Sequence, residues 1–102
     1  MNSTKADVVL LRALAHPVRL EMMRQLASRP ETCACDFTDV FAISQPTVSQ
    51  HLKVLREAGL VSTRRRGTQI CYSLDLAGMA GVEAIVTGIF AMTGAVGAAV
   101  AG

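Results

Sequence analysis

Residues 44–59 read Ser44-Gln45-Pro46-Thr47-Val48-Ser49-Gln50-His51-Leu52-Lys53-Val54-Leu55-Arg56-Glu57-Ala58-Gly59. The stretch predicts one helix with both ends marked, because Ser44 can cap the first turn, Pro46 loses no hydrogen bond there and Gly59 favours a left-handed stop. At 100° per residue, one face is apolar and consists of Val48, Leu52 and Leu55. The opposite face carries short polar groups and a lysine, which suit base edges and a phosphate, so the pattern favours a helix that reads the major groove of DNA.

Two β-like runs follow this helix over about residues 60–74 and are joined by a turn around Arg66-Gly67. A helix followed by a basic-tipped hairpin outlines a winged helix-turn-helix. Strict alternation in the second run places Ile70, Tyr72 and Leu74 inward and puts Cys71 on the outer face. Three arginines approach the tip and could contact phosphates or the minor groove: Arg64, Arg65 and Arg66. A basic turn that only aids solubility is the alternative.

Apolar spacing predicts three helices before the reading helix, at about residues 5–15, 17–27 and 32–42. His16-Pro17 marks the start of the second helix, and Thr32 can cap the third. The third helix and the reading helix form the helix-turn-helix pair, at about residues 33–58. With 102 residues, the chain is predicted to be a single domain, residues 1–102, that is small enough to gain stability from dimerisation.

Three motifs resemble the ArsR/SmtB family of metal-responsive repressors: Leu14-Ala15-His16-Pro17-Val18-Arg19-Leu20, Ser44 to Leu55 as quoted above, and Ala58-Gly59-Leu60-Val61. They stand in family order and spacing, and the match covers about residues 8–76. The resemblance implies a mainly α fold with a two-stranded β wing, acting as a homodimeric repressor on double-stranded operator DNA. On that reading, bases meet Gln45, Thr47, Ser49 and Gln50, and the DNA backbone meets Lys53, Arg64, Arg65 and Arg66.

From Leu76 onward, the only charged residue is Glu83. In the family a C-terminal helix pairs the subunits, so we expect such a helix at about residues 76–98, with small residues at Ala84/Gly88 and Ala91/Ala95 that permit close helix approach. The uncharged run over residues 84–102 leaves a membrane tether as the alternative. Three cysteines and no secretory leader indicate reduced thiols rather than a disulfide scaffold, and so a cytoplasmic protein.

Cys33-Ala34-Cys35-Asp36 is expected in the first turn of the third helix, where the positive helix end favours thiolates that bind soft ions. This motif is similar to the Cys-Val-Cys-Asp box of the family's arsenite and antimonite sensors. The similarity implies Cys33 and Cys35 as ligands of an As(III) or Sb(III) inducer, whereas Thr38 occupies the family's third cysteine position. Residues two apart on a helix diverge by about 200°, so both cysteines can bind one ion only if the helix start unwinds. Such a change would disturb the DNA-binding geometry.

The source of any third ligand is open. Cys71 serves only if the wing of this or the other subunit approaches the third helix, and an external thiol, solvent or two-coordinate binding are the alternatives. Cys33 and Cys35 could also be two buried hydrophobes, a redox-active disulfide, a site for another soft metal, or the dithiol of a metal-buffering protein. Cadmium, lead and zinc sites of the family are disfavoured, since no cysteine precedes Cys33 and no histidine follows Asp75. The sequence has no set of catalytic groups and does not predict an enzyme.

Overall fold

The structure is a computed structural model that describes residues 2–94. Over these residues it is mainly helical, with a small antiparallel sheet, which confirms the predicted winged helix-turn-helix. The elements in chain order are α1 (Asn2–Leu14), α2 (Pro17–Ser28), β1 (Thr32–Cys33), α3 (Ala34–Phe41), α4 (Gln45–Glu57), β2 (Val61–Arg66), β3 (Gln69–Leu74) and α5 (Leu76–Thr93).

The core lies where α2, α3 and α4 meet the base of the hairpin. Phe37 of α3 and Leu52 of α4 are completely buried, and Tyr72 of β3 packs its ring edge-on against Phe37 with 6.4 Å between ring centroids. The predicted apolar face of α4 is confirmed, since Val48 and Leu55 are also buried. Each such side chain stabilises the fold by about 1.5–3 kcal/mol. This burial holds α3 and α4 against each other and leaves the polar face of α4 outside.

The predicted ends of α2 and α4 are confirmed. The Ser44 hydroxyl accepts a hydrogen bond from the Thr47 amide at 3.4 Å, and Pro46 lies in the first turn of α4. Gly59 follows the helix with φ +83, a left-handed conformation that a residue with a Cβ rarely adopts. At α2, His16 Nδ1 accepts a hydrogen bond from the Val18 amide at 3.1 Å, so His16 is a helix cap, as its position before Pro17 predicts.

The start of α3 differs from the prediction. Thr32 and Cys33 form the short strand β1, and the helix begins only at Ala34. Cys33 precedes the helix with an extended backbone, φ −85 and ψ 158, and makes no side-chain capping bond. The Thr32 hydroxyl does not cap either: it is buried without a hydrogen-bond partner among the described residues. An extended backbone here pairs with the free edge of β3, which a helical turn would leave unpaired.

The sheet therefore has three strands, in the order β1-β3-β2, all antiparallel. The hairpin turns at Gly67, φ +62, as the sequence predicts. Cys71 of the central strand β3 is flanked by Cys33 on one side and Arg64 on the other. Cys71 lies on the face of β3 opposite Tyr72, as alternation predicts, but it is completely buried rather than exposed at an outer surface, and it pairs with the strand that leads directly into the third helix. Alternation alone could not reveal that a third strand adjoins β3.

Helix α5 is attached to the domain at its first turn. The Asp75 carboxylate accepts hydrogen bonds from the Ala77 and Gly78 amides at 3.0 and 3.2 Å and from the Ser62 hydroxyl at 2.9 Å. The bond from Ser62 is the main reason that the pKa of Asp75 lies below its usual value. A Cβ at Gly78 would lie 2.0 Å from the Gly59 carbonyl oxygen, so only glycine permits this close approach of α5 to the end of α4.

Beyond this attachment, Met79 and Val82 pack partly buried against the core, and the rest of the α5 surface is largely apolar and open to solvent. The helix is long and apolar enough to cross a membrane by length and composition, and none of its residues is fully buried within the described protein. Ile89 is 64% exposed and Met92 is 88% exposed. Helix α1, which contacts α5, also exposes Val8 and Val9. The predicted extension of the helix through Ala95 to about residue 98 lies outside the described residues.

Candidate nucleic-acid interface and cysteine site

The polar face of α4 is exposed along its length. Its solvent-facing side chains include the five residues of this helix that the sequence assigns to DNA: Gln45, Thr47, Ser49, Gln50 and Lys53. The Thr47 hydroxyl also contacts the Ser44 hydroxyl at 3.0 Å, so it takes part in the helix cap. The other four side chains make no hydrogen bond to another described residue that would hold them away from a ligand. Because the opposite face is fixed in the core, these groups project from a rigid helix.

The wing arginines differ in their surroundings. Arg64 and Arg66 lie on one face of β2, since they are two residues apart, and both contact the Glu31 carboxylate. Arg64 donates two hydrogen bonds to it and Arg66 donates one, each at 3.1 Å. The hydrogen bond from Arg64 is the main reason that the pKa of Glu31 lies below its usual value. Arg65, on the other face, has no carboxylate partner within residues 2–94. Sequence reasoning missed Glu31, because the contact joins residues more than 30 positions apart.

Cys33 and Cys71 form a disulfide, with 3.8 Å between their Cα atoms. The expectation that the cysteines are all reduced does not hold in this structure, and the alternative disulfide between Cys33 and Cys35 is wrong. The physical reason is the register of β1 and β3, which makes Cys33 and Cys71 direct cross-strand neighbours. The pairing joins residues 38 positions apart, which local spacing cannot reveal.

Cys35 is a free and exposed thiol, so the interpretation of Cys33 and Cys35 as two buried hydrophobes is wrong. Its thiol donates to Oε1 of Gln69 at 3.5 Å, with a longer contact to Oδ1 of Asp36 at 3.9 Å. Gln69 and Cys71 are two residues apart on β3 and therefore share one face of the sheet. Cys35 thus lies beside Gln69, on the strand that also carries Cys71.

Two concave surfaces connect the cysteines to the predicted DNA-binding residues. A groove of about 270 Å³ is lined by Ala34, Cys35, Gln45, Ser49, Thr68, Gln69, Ile70 and Tyr72. A wider recess of about 770 Å³ is lined by Cys33, Arg64, Arg65, Arg66, Gly67 and Gln69. Cys35 therefore opens beside the start of α4, and Cys33 opens beside the arginines of the wing.

The two histidines lie side by side between α2 and α4. Their ring centroids are 4.5 Å apart, and Nδ1 of His51 is 3.4 Å from Nη1 of Arg19. Burial is the main reason that the pKa of His51 lies below its usual value. Across residues 2–94, no three histidine, cysteine or acidic side chains converge as a ready-made metal site. An ion held by Cys33 and Cys35 would require the disulfide to be reduced, since thiolates are the ligands.

Comparison with known proteins connects this geometry to a family. The profile described as bacterial regulatory protein, arsR family, matches residues 16–63. The arsenical resistance operon repressor of Bacillus subtilis is 38% identical over 80 residues, which are 74% of this chain and 76% of that protein. This chain belongs to the ArsR family. As a member, it is a DNA-binding transcriptional regulator and not an enzyme.

Further relatives within the ArsR family agree in sequence and fold. The arsenical resistance operon repressor of Staphylococcus xylosus is 44% identical over 73 residues, covering 72% of this chain and 69% of that protein. A crystal structure described as a possible transcriptional regulator for arsenical resistance superimposes with a TM-score of 0.73 at 34% identity, over 79% of this chain and 83% of that one. The crystal structure of the transcriptional repressor BigR from Xylella fastidiosa superimposes with a TM-score of 0.63 at 41% identity, over 78% of this chain and 82% of that one.

Proposed function

We propose that this ArsR-family protein represses an arsenical-resistance operon and leaves its operator when As(III) or Sb(III) binds its cysteine thiolates in the cytoplasm. Its similarity to arsenical resistance operon repressors supports this function. The observation that carries the proposal is the groove in which the free thiol of Cys35 opens beside Gln45 and Ser49. An ion bound there would lie against the first turn of the helix that presents groups to DNA.

The reading face supplies the base contacts in this proposal. Gln45, Thr47, Ser49 and Gln50 meet base edges in the major groove, while Lys53 and the wing residues Arg64, Arg65 and Arg66 meet phosphates. Two copies of the protein related by two-fold symmetry would bind half-sites about one turn of DNA apart. Phosphate contacts of this kind make operator affinity depend strongly on salt.

Release follows from the position of the cysteines between β1, α3 and the wing. Cys33 precedes α3 with an extended backbone, so helical spacing does not force it away from Cys35, and unwinding of the helix is not needed at that residue. Reduced Cys33 and Cys35 would hold the ion, which as a soft thiolate acceptor binds two sulfurs at once. To drive release, the ion must favour a non-binding arrangement of α3 and α4 by several kcal/mol.

The proposal is tested by fluorescence anisotropy on promoter DNA, with the protein kept reduced by a phosphine. We expect sequence-specific binding, and an affinity about 5–150-fold weaker in arsenite, the range of ordinary allosteric coupling. Binding without sequence preference, unaffected by arsenite, would instead favour a metal-buffering protein whose helix-turn-helix is only a scaffold. If another soft ion releases the protein from DNA and arsenite does not, that ion is the inducer.

A second candidate function, release by thiol oxidation, is favoured by the Cys33–Cys71 disulfide. In the same anisotropy assay, the oxidised protein would then bind the operator more weakly than the reduced protein with no arsenite present. Equal operator affinity of the two forms would exclude this candidate and leave the arsenite response unaffected.

We further propose that the exposed apolar surfaces of α1 and α5 form the interface of a homodimer and that α5 does not insert into a membrane. Ile89→Glu should then yield monomers by analytical ultracentrifugation and weaken operator binding, because it buries a charge in the interface. Thr87→Glu is the control: it adds the same charge to an exposed position about 200° around the helix. If the unchanged protein sediments with membranes after cell fractionation, α5 is a tether and the dimer assignment fails.

Glu31→Gln is expected to strengthen DNA binding and steepen its salt dependence. The Glu31 carboxylate neutralises one of the two charges on Arg64 and Arg66, so its loss leaves one more positive charge for phosphates. The slope of log affinity against log salt should become more negative by about 0.9 per subunit. Anisotropy titrations at several salt concentrations measure this slope.

The matched control for Glu31→Gln is Glu21→Gln, which removes a carboxylate that pairs with Arg24 at the surface of α2. It changes the net charge equally but leaves the wing unaltered. Identical slopes for the two variants would mean that Glu31 does not shield the wing arginines from DNA.

A further inference from the structure

We propose that Cys71 is the third sulfur ligand of the As(III) site, together with Cys33 and Cys35. The Cys33–Cys71 disulfide is then the oxidised form of the same site, unable to take up arsenite. This inference rests on the proposed function and names the ligand that the Cys33-Ala34-Cys35 motif lacks, since residue 38 is a threonine whose hydroxyl donates to the Ala34 carbonyl.

The first step is the fixed proximity of two sulfurs. Cys33 and Cys71 are direct partners between β1 and β3, and the adjoining pair, Thr32 and Tyr72, continues the register. Backbone pairing, not only the disulfide, therefore keeps the two side chains on one face of the sheet. After reduction, both thiols remain next to each other at the position where a soft ion would bind.

The second step is the position of Cys35. Its thiol contacts Gln69 on β3 at 3.5 Å, and Gln69 is separated from Cys71 by about 7 Å along the strand on the same face. The only hydrogen bonds of its thiol in the described structure are with Gln69 and Asp36, both at the surface. Because no three ligands converge within residues 2–94, Cys35 must move toward Cys71 to complete the site, and it carries the first turn of α3 with it.

The chemistry balances without oxidation or reduction of arsenic. As(OH)₃ exchanges its three hydroxyls for the sulfurs of three cysteines, taking three thiol protons and releasing three water molecules. Starting from the disulfide, a low-molecular-weight thiolate attacks Sγ of Cys33, which lines the open recess, and Cys71 leaves as a thiolate and is protonated. A second small thiol releases Cys33 and yields the oxidised small disulfide. Before that reduction, only the Cys35 thiol can bind.

The three-sulfur site has a structural consequence that a site within α3 lacks. Cys71 is the cross-strand partner of Arg64, so the ion would tie the first turn of α3 to the wing. Arg64 in turn contacts Glu31, two residues before Cys33. Binding would therefore reposition both the helix that precedes α4 and the wing arginines, which together face the DNA in the proposed function.

Arsenic K-edge X-ray absorption on the full chain, reduced by a phosphine and free of added thiols, tests the ligand count. We expect three sulfurs around arsenic in the unchanged protein and two sulfurs with one oxygen in Cys71→Ser and Cys71→Ala. Arsenite affinity in the two variants should fall at least about tenfold. Loss of a residue that only orients a metal ligand already lowers affinity by that factor, and loss of the ligand itself should cost no less. Ser73→Ala, on the same face of β3, should change neither quantity.

Two variants are needed because Cys71 is completely buried, so one replacement can prevent folding where the other does not. Operator binding without arsenite shows whether each variant is folded. Two sulfurs in the unchanged protein, or three in a folded Cys71 variant, would overturn the assignment. The disulfide form should bind arsenite at least about tenfold more weakly than the reduced form, and equal affinity would contradict its role as the oxidised site. Three sulfurs in a protein that stays on DNA in arsenite would refute the proposed function and leave the ligand assignment standing.

Discussion

A protein carrying Cys35→Ser is expected to bind its operator equally well with and without arsenite, whereas the unchanged reduced protein should lose about 5–150-fold in affinity. Cys35 is exposed and does not belong to the core, so its replacement by serine removes a sulfur ligand without disturbing the packing of the core. A serine hydroxyl does not offer the soft thiolate that As(III) prefers. The measurement is anisotropy on promoter DNA across an arsenite titration.

The matched control for this substitution is Thr38→Ala. It lies one turn further along α3, removes a hydroxyl that bonds only the helix backbone, and contributes no sulfur. It should keep the full arsenite response. The thermal midpoints of both variants should stay close to that of the unchanged protein. If arsenite still released the Cys35→Ser variant from operator DNA to the same extent, Cys35 would not be a ligand. The groove beside Cys35 would then not be the place where arsenite acts.

The second large effect concerns sequence recognition. Ser49→Ala combined with Gln50→Ala is expected to relax base preference by about 1–3 kcal/mol for each bidentate pairing with a base that the substitutions abolish. Both side chains are exposed on α4 beside a buried core face, so their removal should leave the fold intact. The quantity to measure is the ratio of affinities for operator DNA and for a scrambled duplex of equal length.

Lys53→Ala provides the contrast for the double variant. Lys53 lies on the same exposed face but is assigned to a phosphate, so its loss should weaken binding to both duplexes by a similar factor and reduce the salt slope. Retained discrimination in the double variant would show that other residues read the operator. A loss of discrimination in Lys53→Ala would contradict its assignment to the backbone.

The sequence by itself determined the ends of α2 and α4 and the polar, exposed face of α4. Ser44, Pro46 and Gly59 act through contacts within a few residues, and the burial of Val48 and Leu52 follows from the period of one helix. The turn of the wing at Gly67 is likewise a local property of the backbone. These features could be predicted because the residues that cause them are neighbours in the chain.

Only the tertiary structure decided how the cysteines and the wing arginines are partnered. Thr32 and Cys33 leave the predicted helix because β3 offers an unpaired strand edge, and this pairing buries Cys71 against Cys33. The contact of Glu31 with Arg64 and Arg66 arises from the same arrangement of strands. These partners are separated by 33 to 38 positions in the sequence. Side-chain alternation and helical period describe one segment at a time, and therefore contain no information about which distant segment will lie alongside.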